Sequence, residues 1–248
     1  MSIPLTDGET LSRLFHLNSE PWSNVEAYRK AQDYEVEYKS IADAVATRLP
    51  GIPDSSLFEL LYRRNSCREF RLEKMPLEVF SFVLKCGYGI TRLSQIGKAN
   101  AGYLRTTPSA GGLFPLEVYV LAREVNELSD GIYHYNVRDH SVEMLRPGSW
   151  FEELDKDLIS APFVVNANLI FFFSAIFKRT QKKYGPRGYR YILLEAGHVA
   201  QNICLAASEH KLGSLCMGGY YDTKLNRFFG FEDLNEGIVY SVAVGYAA

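Results

Sequence analysis

The stretch YRYILLEAGHVAQNICLAASE, residues 189–209, predicts a long helix that is apolar on almost every side. Its side chains Glu195, His198 and Asn202 follow one another at helical spacing, so they form one narrow polar stripe. A helix that is apolar all round is buried in a core or in a subunit interface. We therefore expect His198 to be a satisfied core or interface histidine. A buried carboxylate needs a partner, and we expect Glu195 to pair with an arginine of the basic stretch that precedes the helix.

Apolar strands and amphipathic helices surround this helix along the chain. Strands are predicted at LEVYVLARE (116–124), in the hairpin GIYHYN–VRDH–SVEMLRP (131–147), at FVVNANLIFFFSA (163–175) and at GIVYSVAVGYA (237–247). Helices are predicted at SSLFELLYRRNS, where Ser56 and Glu59 would form a capping box, at PLEVFSFVLKCGYGI and at TKLNRFFG. Residues 91–107 are predicted to form a long polar loop. The pattern favours an α+β fold with helices around a mostly antiparallel central sheet.

The composition excludes several classes of function. The 248 residues carry a net charge of −2, so no nucleic-acid partner is expected. No apolar run is long enough to span a membrane, and residues 1–25 lack the pattern of a secretory signal, so we expect a cytoplasmic protein. Four cysteines and five histidines show no metal-ligand spacing; we expect no metal and predict buried, reduced thiols. One domain is expected at residues 51–248, after a polar, helical leader at 1–50.

Three short stretches have the chemistry of ligand contacts. RRNSCREF at 63–70 combines guanidinium, amide and hydroxyl donors of the kind that bind a phosphate, although cations also suit a solvated helix end. TPSAGGLFP at 107–115 and LCMGGYYD at 215–222 each contain a glycine pair, which lets the backbone come close to a flat ligand. A tight turn and a plain connector are the alternatives for these two stretches.

Taken in order, these stretches together with GIYHYN, KYGPRGYRYILLEAGHVAQN and GGYYDTKLNRFFG closely resemble the nitroreductase-like flavoproteins. Within them the chain is most similar to the azoline dehydrogenases of the SagB/McbC type, which mature thiazole- and oxazole-containing peptides. The resemblance covers about residues 55–246. It implies a nitroreductase-like α+β fold that binds FMN, and usually a homodimer whose two active sites lie at an interface formed by the long helix.

By position, the resemblance implies roles for several residues. The phosphate and ribityl contacts would be Arg64, Asn65, Ser66 and Arg68; the loop beside the isoalloxazine would be Pro108, Ser109, Ala110 and Gly111; the segment at the flavin N5 edge would be Gly218 and Gly219. Arg187 is a further candidate ligand of phosphate or substrate, or else a salt-bridged loop residue. The last predicted strand ends in VGYAA, where many classical nitroreductases carry basic residues, so Arg64 and Arg68, or another arginine, are expected to hold more of the phosphate charge.

The basic stretch KKYGPRGYR lies at residues 182–190. It contains Lys183 and Tyr184, which resemble a Lys-Tyr pair that azoline dehydrogenases have in common just before the long helix. Oxidising an azoline ring removes a hydride from one carbon and a proton from its neighbour, so a base is needed beside the flavin. An ordinary lysine or tyrosine has a pKa of about 10, and a crowd of cations favours the unprotonated form of either. Which of the two is the base stays open, and a solvated, charged loop is the alternative for the whole stretch.

The resemblance implies an FMN-dependent dehydrogenase that oxidises thiazoline or oxazoline rings in a ribosomally made peptide, beside a ring-forming cyclodehydratase. Two other readings stay open within the fold: an NAD(P)H-dependent nitro or quinone reductase, and an oxidase of a cyclic or carrier-bound peptide. A non-catalytic scaffold subunit is the alternative from another class. The candidate groups present at all three stretches speak against it.

Overall fold

A seven-stranded sheet forms the centre of this computed structural model, which describes residues 12, 14–16, 18–20, 38–93, 102–158, 161–231 and 235–248. The strands run in the order β1-β9-β7-β4-β5-β6, with β8 also paired to β9, and every one of these pairs is antiparallel. A separate two-stranded sheet pairs β2 with β3. The strands are β1 (Phe70–Arg71), β2 (Ile90–Leu93), β3 (Tyr103–Arg105), β4 (Leu116–Ala122), β5 (Gly131–Asn136), β6 (Ser141–Pro147), β7 (Leu169–Ile176), β8 (Gly213–Met217) and β9 (Glu236–Ala247).

Helices cover the sheet and connect its strands. They are α1 (Ser56–Arg63), α2 (Leu77–Tyr88), α3 (Phe151–Leu154), α4 (Lys178–Tyr184), α5 (Arg187–Glu209) and α6 (Asp222–Phe229), with single 3₁₀ turns at Ala110–Gly112, Asp155–Asp157 and Ala161–Phe163. Among the helices in the described part of the chain, none combines the length and apolarity needed to cross a membrane. The predicted α+β class, with helices around a mostly antiparallel sheet, is confirmed.

The core lies on both faces of the sheet because successive strand residues point to opposite sides. Phe171 and Phe173 of β7 face a cluster that includes the buried residues of α2 and α5, whereas Phe172 faces a second cluster shared with Leu225 of α6. All three phenylalanines are fully buried. The prediction that β7 is a strand buried on both faces is confirmed, and its central place fixes where α5 can lie.

Several local predictions need correction. The side chain of Ser55, not Ser56, caps α1, since it accepts a hydrogen bond from the backbone N–H of Phe58 at 3.4 Å. Residues 91–107 are not a continuous loop, because they contain most of β2 and all of β3. The basic stretch is not a loop either: its first half ends α4, and Gly185, at φ +55, separates α4 from α5.

Helix α5 is not hidden all round within one chain. Leu193 and Leu194 are 38% and 55% exposed, and His198 is also exposed. The core alternative for His198 is therefore wrong in the single chain, and the interface alternative stays a prediction. Most of the predicted leader at 1–50 lies outside the described residues, and the domain boundary at 51 stays a prediction as well.

Candidate functional site

The loop before β4 meets the end of α4 at Gly111. The backbone of Gly111 has φ +65, a conformation that suits glycine. A β-carbon placed on it would lie 2.7 Å from Nζ of Lys183 and 2.7 Å from the hydroxyl oxygen of Tyr184, closer than real β-carbons come to other atoms. The structure therefore brings together the predicted flavin-side loop and the predicted proton-transfer pair, which are some 70 positions apart in the chain.

The two candidate bases sit at the last turn of α4. Nζ of Lys183 lies 5.2 Å from the ring centroid of Tyr184, within the range of a cation–π contact. The ring of Tyr184 meets that of Tyr191, on the first turn of α5, edge to face at 5.1 Å. Lys183 is exposed and Tyr184 is half-buried. The lysine is thus accessible to a ligand, while the ring of the tyrosine packs against Tyr191.

Glu195 of α5 is tied to the same loop. Its two carboxylate oxygens accept hydrogen bonds from the hydroxyls of Tyr88, at 2.6 Å, and of Ser109, at 2.5 Å. Burial raises the pKa of Glu195, while these two bonds and the nearby charge of Arg105 lower it in part. The prediction that an arginine of the basic stretch pairs with Glu195 is wrong, because hydroxyls from α2 and the 107–114 loop reach the carboxylate instead.

A second residue of the polar stripe on α5 holds the loop at its start. Asn202 donates from its amide to the hydroxyl oxygen of Thr107 at 3.0 Å, and that hydroxyl donates to the carbonyl of Gly87 at 2.9 Å. Inside the loop, the hydroxyl oxygen of Ser109 accepts from the N–H of Phe114 at 2.9 Å. The narrow stripe predicted on this helix is therefore the surface that fixes the candidate flavin loop.

The RRNSCREF stretch lies beside the start of β8. Ser66 forms a bridge with Ser214, and the N–H of Cys67 donates to the carbonyl of Ser214 at 2.9 Å. A groove of about 190 Å³ opens there, lined by Arg63, Arg64, Asn65, Ser208, Lys211, Leu212, Gly213, Ser214 and Ala247. Arg64 and Asn65 thus face a cavity large enough for an anionic group. Arg68 is exposed and donates to the carbonyl of Ser66 at 3.4 Å.

The segment after β8 contains the second predicted glycine pair. Gly218 is exposed, and a β-carbon on it would make ordinary contact with the ring of Tyr240 at 3.7 Å. Arg187, the other predicted ligand, is the exposed first residue of α5. Gly218, Gly219 and Arg187 keep their assigned roles as predictions.

Two thiols lie next to this segment. The sulfur atoms of Cys204 on α5 and Cys216 on β8 are 3.6 Å apart. The hydrogen bond with Cys204 lowers the pKa of Cys216 to about 7, helped by Tyr240 and the charge of Arg64 and opposed by burial. All four cysteines are free, as predicted, but only Cys67 and Cys204 are buried, whereas Cys86 is half-buried and Cys216 is exposed. Cys216 lies two positions before Gly218 in the chain and close enough to Arg64 for the charge of the guanidinium to lower the pKa of the thiol.

The residues present fit a flavin mononucleotide. Guanidinium and amide donors around the groove match a phosphate. Arg64 and Asn65 would hold the phosphate, and the loop 108–111 and Gly218–Gly219 would hold the ring. When bound, FMN supplies a two-electron acceptor. Among the described residues no group of three or more metal-ligating side chains comes together.

Sequence reasoning missed three residues at the site. Tyr88 reads as an ordinary core residue of α2, and Arg105 lay in a stretch taken for a loop. Lys211 follows α5 in a turn at φ +58 and lines the groove. The turn conformation of Lys211 is visible only in the structure, so no local pattern in the sequence points to this residue.

Comparison with known proteins places the fold and site in context. Residues 61–246 match the Nitroreductase family. A Methanocaldococcus jannaschii protein with the provisional name nitroreductase is 32% identical over 193 residues, which cover 78% of this chain and 93% of that protein. The microcin B17-processing protein McbC of Escherichia coli is 30% identical over 129 residues, 48% of this chain and 46% of McbC. The trifolitoxin-processing protein TfxB of Rhizobium leguminosarum is 27% identical over 174 residues, 64% of this chain and 45% of TfxB. The aligned segments cover less than half the length of each processing protein.

Solved structures agree with this placement. A Ralstonia eutropha protein provisionally named a nitroreductase superposes with a TM-score of 0.63 at 26% identity, over 83% of this chain and 88% of that one. A chain of the Escherichia coli microcin synthetase McbBCD, bound to truncated pro-MccB17, reaches 0.69 at 18% identity, over 97% and 93%. A Desulfovibrio desulfuricans relative solved in complex with FMN reaches 0.54 at 15% identity, over 79% and 88%. A family match over most of the chain, on a fold of this class, makes the chain a member of the nitroreductase family of oxidoreductases, whose members bind FMN.

Proposed function

We propose that this protein is an FMN-dependent dehydrogenase that oxidises thiazoline or oxazoline rings to thiazoles or oxazoles in a ribosomally made peptide. The observation that carries the proposal is the meeting of Lys183 and Tyr184 with Gly111. Two groups able to exchange a proton converge on the loop that would flank the flavin ring. A nitro or quinone reductase takes its hydride from a nicotinamide and removes no proton from a substrate carbon, so it has no need of such a pair beside the ring.

The two side chains would divide the proton chemistry at the substrate. One of them takes the proton from the ring carbon, and the other, within cation–π distance, stabilises the resulting charge or orients the ring. Tyr184, held by Tyr191, provides the fixed member of the pair, and the long side chain of Lys183 provides the adjustable one. The exposure of Lys183 leaves an approach for a peptide substrate.

The phosphate end of the cofactor would lie in the groove beside Arg64 and Asn65, and Ser66 and Arg68 would complete the set from the same segment. Pro108, Ser109, Ala110 and Gly111 would line the ring on one side, and Gly218 and Gly219 on the other. Arg187, at the start of α5, would meet an anionic group of the cofactor or the substrate. These assignments rest on position and on donor chemistry.

A homodimer is part of the proposal. The exposed leucines of α5 form an apolar surface, and α1 adds Leu57, Phe58, Leu61 and Tyr62, all of them exposed. An exposed group of apolar side chains of this size is typical of a surface that binds a partner. A second copy of α5 would cover both sets and would surround His198.

A peptide partner and a cyclodehydratase follow from the same chemistry, since azolines form only when another enzyme cyclises cysteine, serine or threonine side chains. McbC is named for processing microcin B17, and its solved complex contains McbB, McbD and a truncated pro-peptide. We propose a comparable arrangement for this chain, in the cytoplasm where peptides are made.

The test is a direct comparison of two assays on the purified, flavin-loaded protein. A peptide that carries a single thiazoline should lose two hydrogen atoms in the mass spectrum, with oxygen reoxidising the flavin. In the parallel assay, NADPH oxidation with a quinone should be slow. Rapid NADPH oxidation without any azole formation would instead favour the second candidate.

That second candidate is an NAD(P)H-dependent nitro or quinone reductase. The relative that favours it is the Methanocaldococcus jannaschii protein, whose name is of that class and which matches over 93% of its length. The two candidates share the cofactor and the fold, so flavin content alone does not separate them.

A further inference from the structure

Glu195 is buried beside the reacting end of the site, although it faces no substrate surface of its own. It is only 2% exposed, and each carboxylate oxygen accepts one hydrogen bond. One comes from the hydroxyl of Tyr88 and the other from the hydroxyl of Ser109. The guanidinium of Arg105 stacks over the rings of Tyr88 at 4.3 Å and Phe114 at 4.6 Å, which puts a positive charge close to the carboxylate. A carboxylate bound in this way is held still and is not offered to a ligand.

We infer that Glu195 is a positioning residue: through its hydrogen bond with Ser109 it holds the Gly111 turn against Lys183 and Tyr184. The inference deepens the proposed function, since it rests on Lys183 and Tyr184 handling the substrate proton. It also separates Glu195 from the candidate bases, although a carboxylate near an active site invites that role.

The turn needs such an anchor because its backbone is strained. Within residues 109–114, Gly111, Gly112 and Phe114 all have positive φ, at +65, +64 and +44. For Phe114 this conformation is unfavourable, and a strained segment persists only where its surroundings impose it. The bond from the Phe114 N–H to the Ser109 hydroxyl closes the turn on itself. The bond from that hydroxyl to Glu195 fixes the closed turn to α5.

The two bonds to Glu195 allow a matched comparison. Tyr88 reaches one oxygen from the core side of α2, while Ser109 reaches the other from the loop. Tyr88→Phe removes one hydroxyl and leaves the loop anchor in place. Ser109→Ala removes the anchor and leaves the core contact. A role in general core stability predicts similar effects for both, whereas a role in positioning predicts an effect of Ser109→Ala alone.

The first measurement is azoline oxidation by the holoenzyme. Glu195→Ala and Ser109→Ala should each lower kcat about tenfold or more, with KM changed less than threefold. The reason is that these variants disturb the alignment of the bases but leave substrate binding intact. The double variant should be no worse than the worse single variant, since both remove one link. Glu195→Gln, which keeps one acceptor, should fall in between. Tyr88→Phe should stay within about threefold of wild type.

The second measurement needs no activity. Each flavin-loaded variant is treated with an acetylating reagent, and the modification of Lys183 is compared with that of Lys182 by peptide mass spectrometry. Lys182 is an exposed neighbour on the same helix and serves as an internal standard. Releasing the Gly111 turn changes the surroundings of Nζ of Lys183, which lies against that turn, so the Lys183 to Lys182 ratio should change at least twofold in Glu195→Ala and Ser109→Ala but stay the same in Tyr88→Phe.

The outcomes separate the inference from the proposed function. If the wild type forms no azole but the acetylation ratios behave as expected, the proposed function fails and the positioning role of Glu195 stands. If Tyr88→Phe is as damaging as Ser109→Ala in both measurements, or if Glu195→Ala and Ser109→Ala are additive, the inference is overturned. Should Glu195→Ala not fold, Glu195→Gln and Ser109→Ala carry the same comparison.

Discussion

The side chain of Lys183 occupies the space that a β-carbon on Gly111 would need. Gly111→Ala should therefore displace the ends of the Lys183 and Tyr184 side chains and lower azoline oxidation by at least tenfold. Its control is Gly112→Ala, because Gly112 has nearly the same backbone, at φ +64, but open space where a β-carbon would be. Both variants carry the strain of a left-handed alanine, about 1–2 kcal/mol. Equal losses of activity in the two would show that strain, and not contact with Lys183, is what matters.

Lys183→Ala and Tyr184→Phe should each depress azoline oxidation by roughly 10² or more, the usual loss when a positioned acid or base is removed, about 2.7 kcal/mol of barrier. Flavin content and the circular dichroism spectrum should stay unchanged. Lys182→Ala, one position earlier on α4, is the matched control and should cost less than threefold. Flavin reduction by a small artificial hydride donor should survive every variant. Near wild-type azole formation in the double variant would leave the pair without a catalytic role.

Arg64→Ala should weaken FMN binding about tenfold or more, because it removes charge-assisted hydrogen bonds to the phosphate, and tenfold corresponds to about 1.4 kcal/mol. Riboflavin lacks the phosphate, so its affinity should hardly change. Both affinities follow from quenching of flavin fluorescence. Arg138→Ala, in the β5–β6 hairpin at the opposite edge of the sheet, is the control. An equal loss for FMN and riboflavin would place the phosphate elsewhere.

Leu194→Arg should convert the dimer to monomers, since a charge at the centre of an apolar interface has no partner. Leu145→Arg is the control, because Leu145 is 50% exposed, close to the 55% of Leu194, but lies on the edge strand β6. The molar mass of the wild type and of both variants is measured by light scattering at micromolar protein concentration. A monomeric wild type with bound flavin would contradict the proposed dimer.

Asp222 should make stability depend on pH. Burial, with a smaller contribution from the charge of Glu20, raises the pKa of Asp222 from 3.8 to about 7. Between these values the folded state holds a proton that the unfolded state has lost. The free energy of unfolding should therefore fall as pH rises through this window, by at most about 1.4 kcal/mol per pH unit. Urea unfolding at several pH values should show a flatter curve for Asp222→Asn.

His16 acts in the opposite sense. Its Nε2 lies 3.5 Å from a carboxylate oxygen of Asp222, and burial lowers the pKa of the imidazole. Protonation of His16 is disfavoured by folding, so its contribution is lost as pH falls. Subtracting the Asp222→Asn curve from that of wild type isolates the carboxyl group. Parallel curves would mean that Asp222 is ionised in the folded protein.

Local signals in the sequence predicted the elements well. Alternating apolar residues predicted β4, the hairpin pattern predicted β5 and β6, and apolar runs typical of buried strands predicted β7 and β9. The errors arose where pairing is non-local. Residues 91–107 look polar in isolation, yet β2 and β3 pair with each other across the intervening segment. The partner of Glu195 is Ser109, 86 positions away, and no local pattern reports such a contact.

For the site as well, residue types could be recognised in the sequence, whereas contacts between distant residues could not. The glycines, the cations and the Lys-Tyr pair could be recognised because backbone freedom and charge are properties of residue types. Their meeting at Gly111 depends on how α4, α5 and the loop before β4 pack. Tyr88 and Arg105 were not recognised because their roles exist only in that packing.

One edge of β9 carries both β8 and β1, in registers that follow one another from Ser241 to Ala247. The segment with Arg64 leads into β1, and Gly218 follows β8, so both segments that we propose to bind the cofactor are continuous with strands paired to the twelve-residue β9. They should open as one cooperative unit, and amide hydrogens in β1, β8 and the end of β9 should exchange with solvent at a common rate. Cofactor release during unfolding would then be a single all-or-none event.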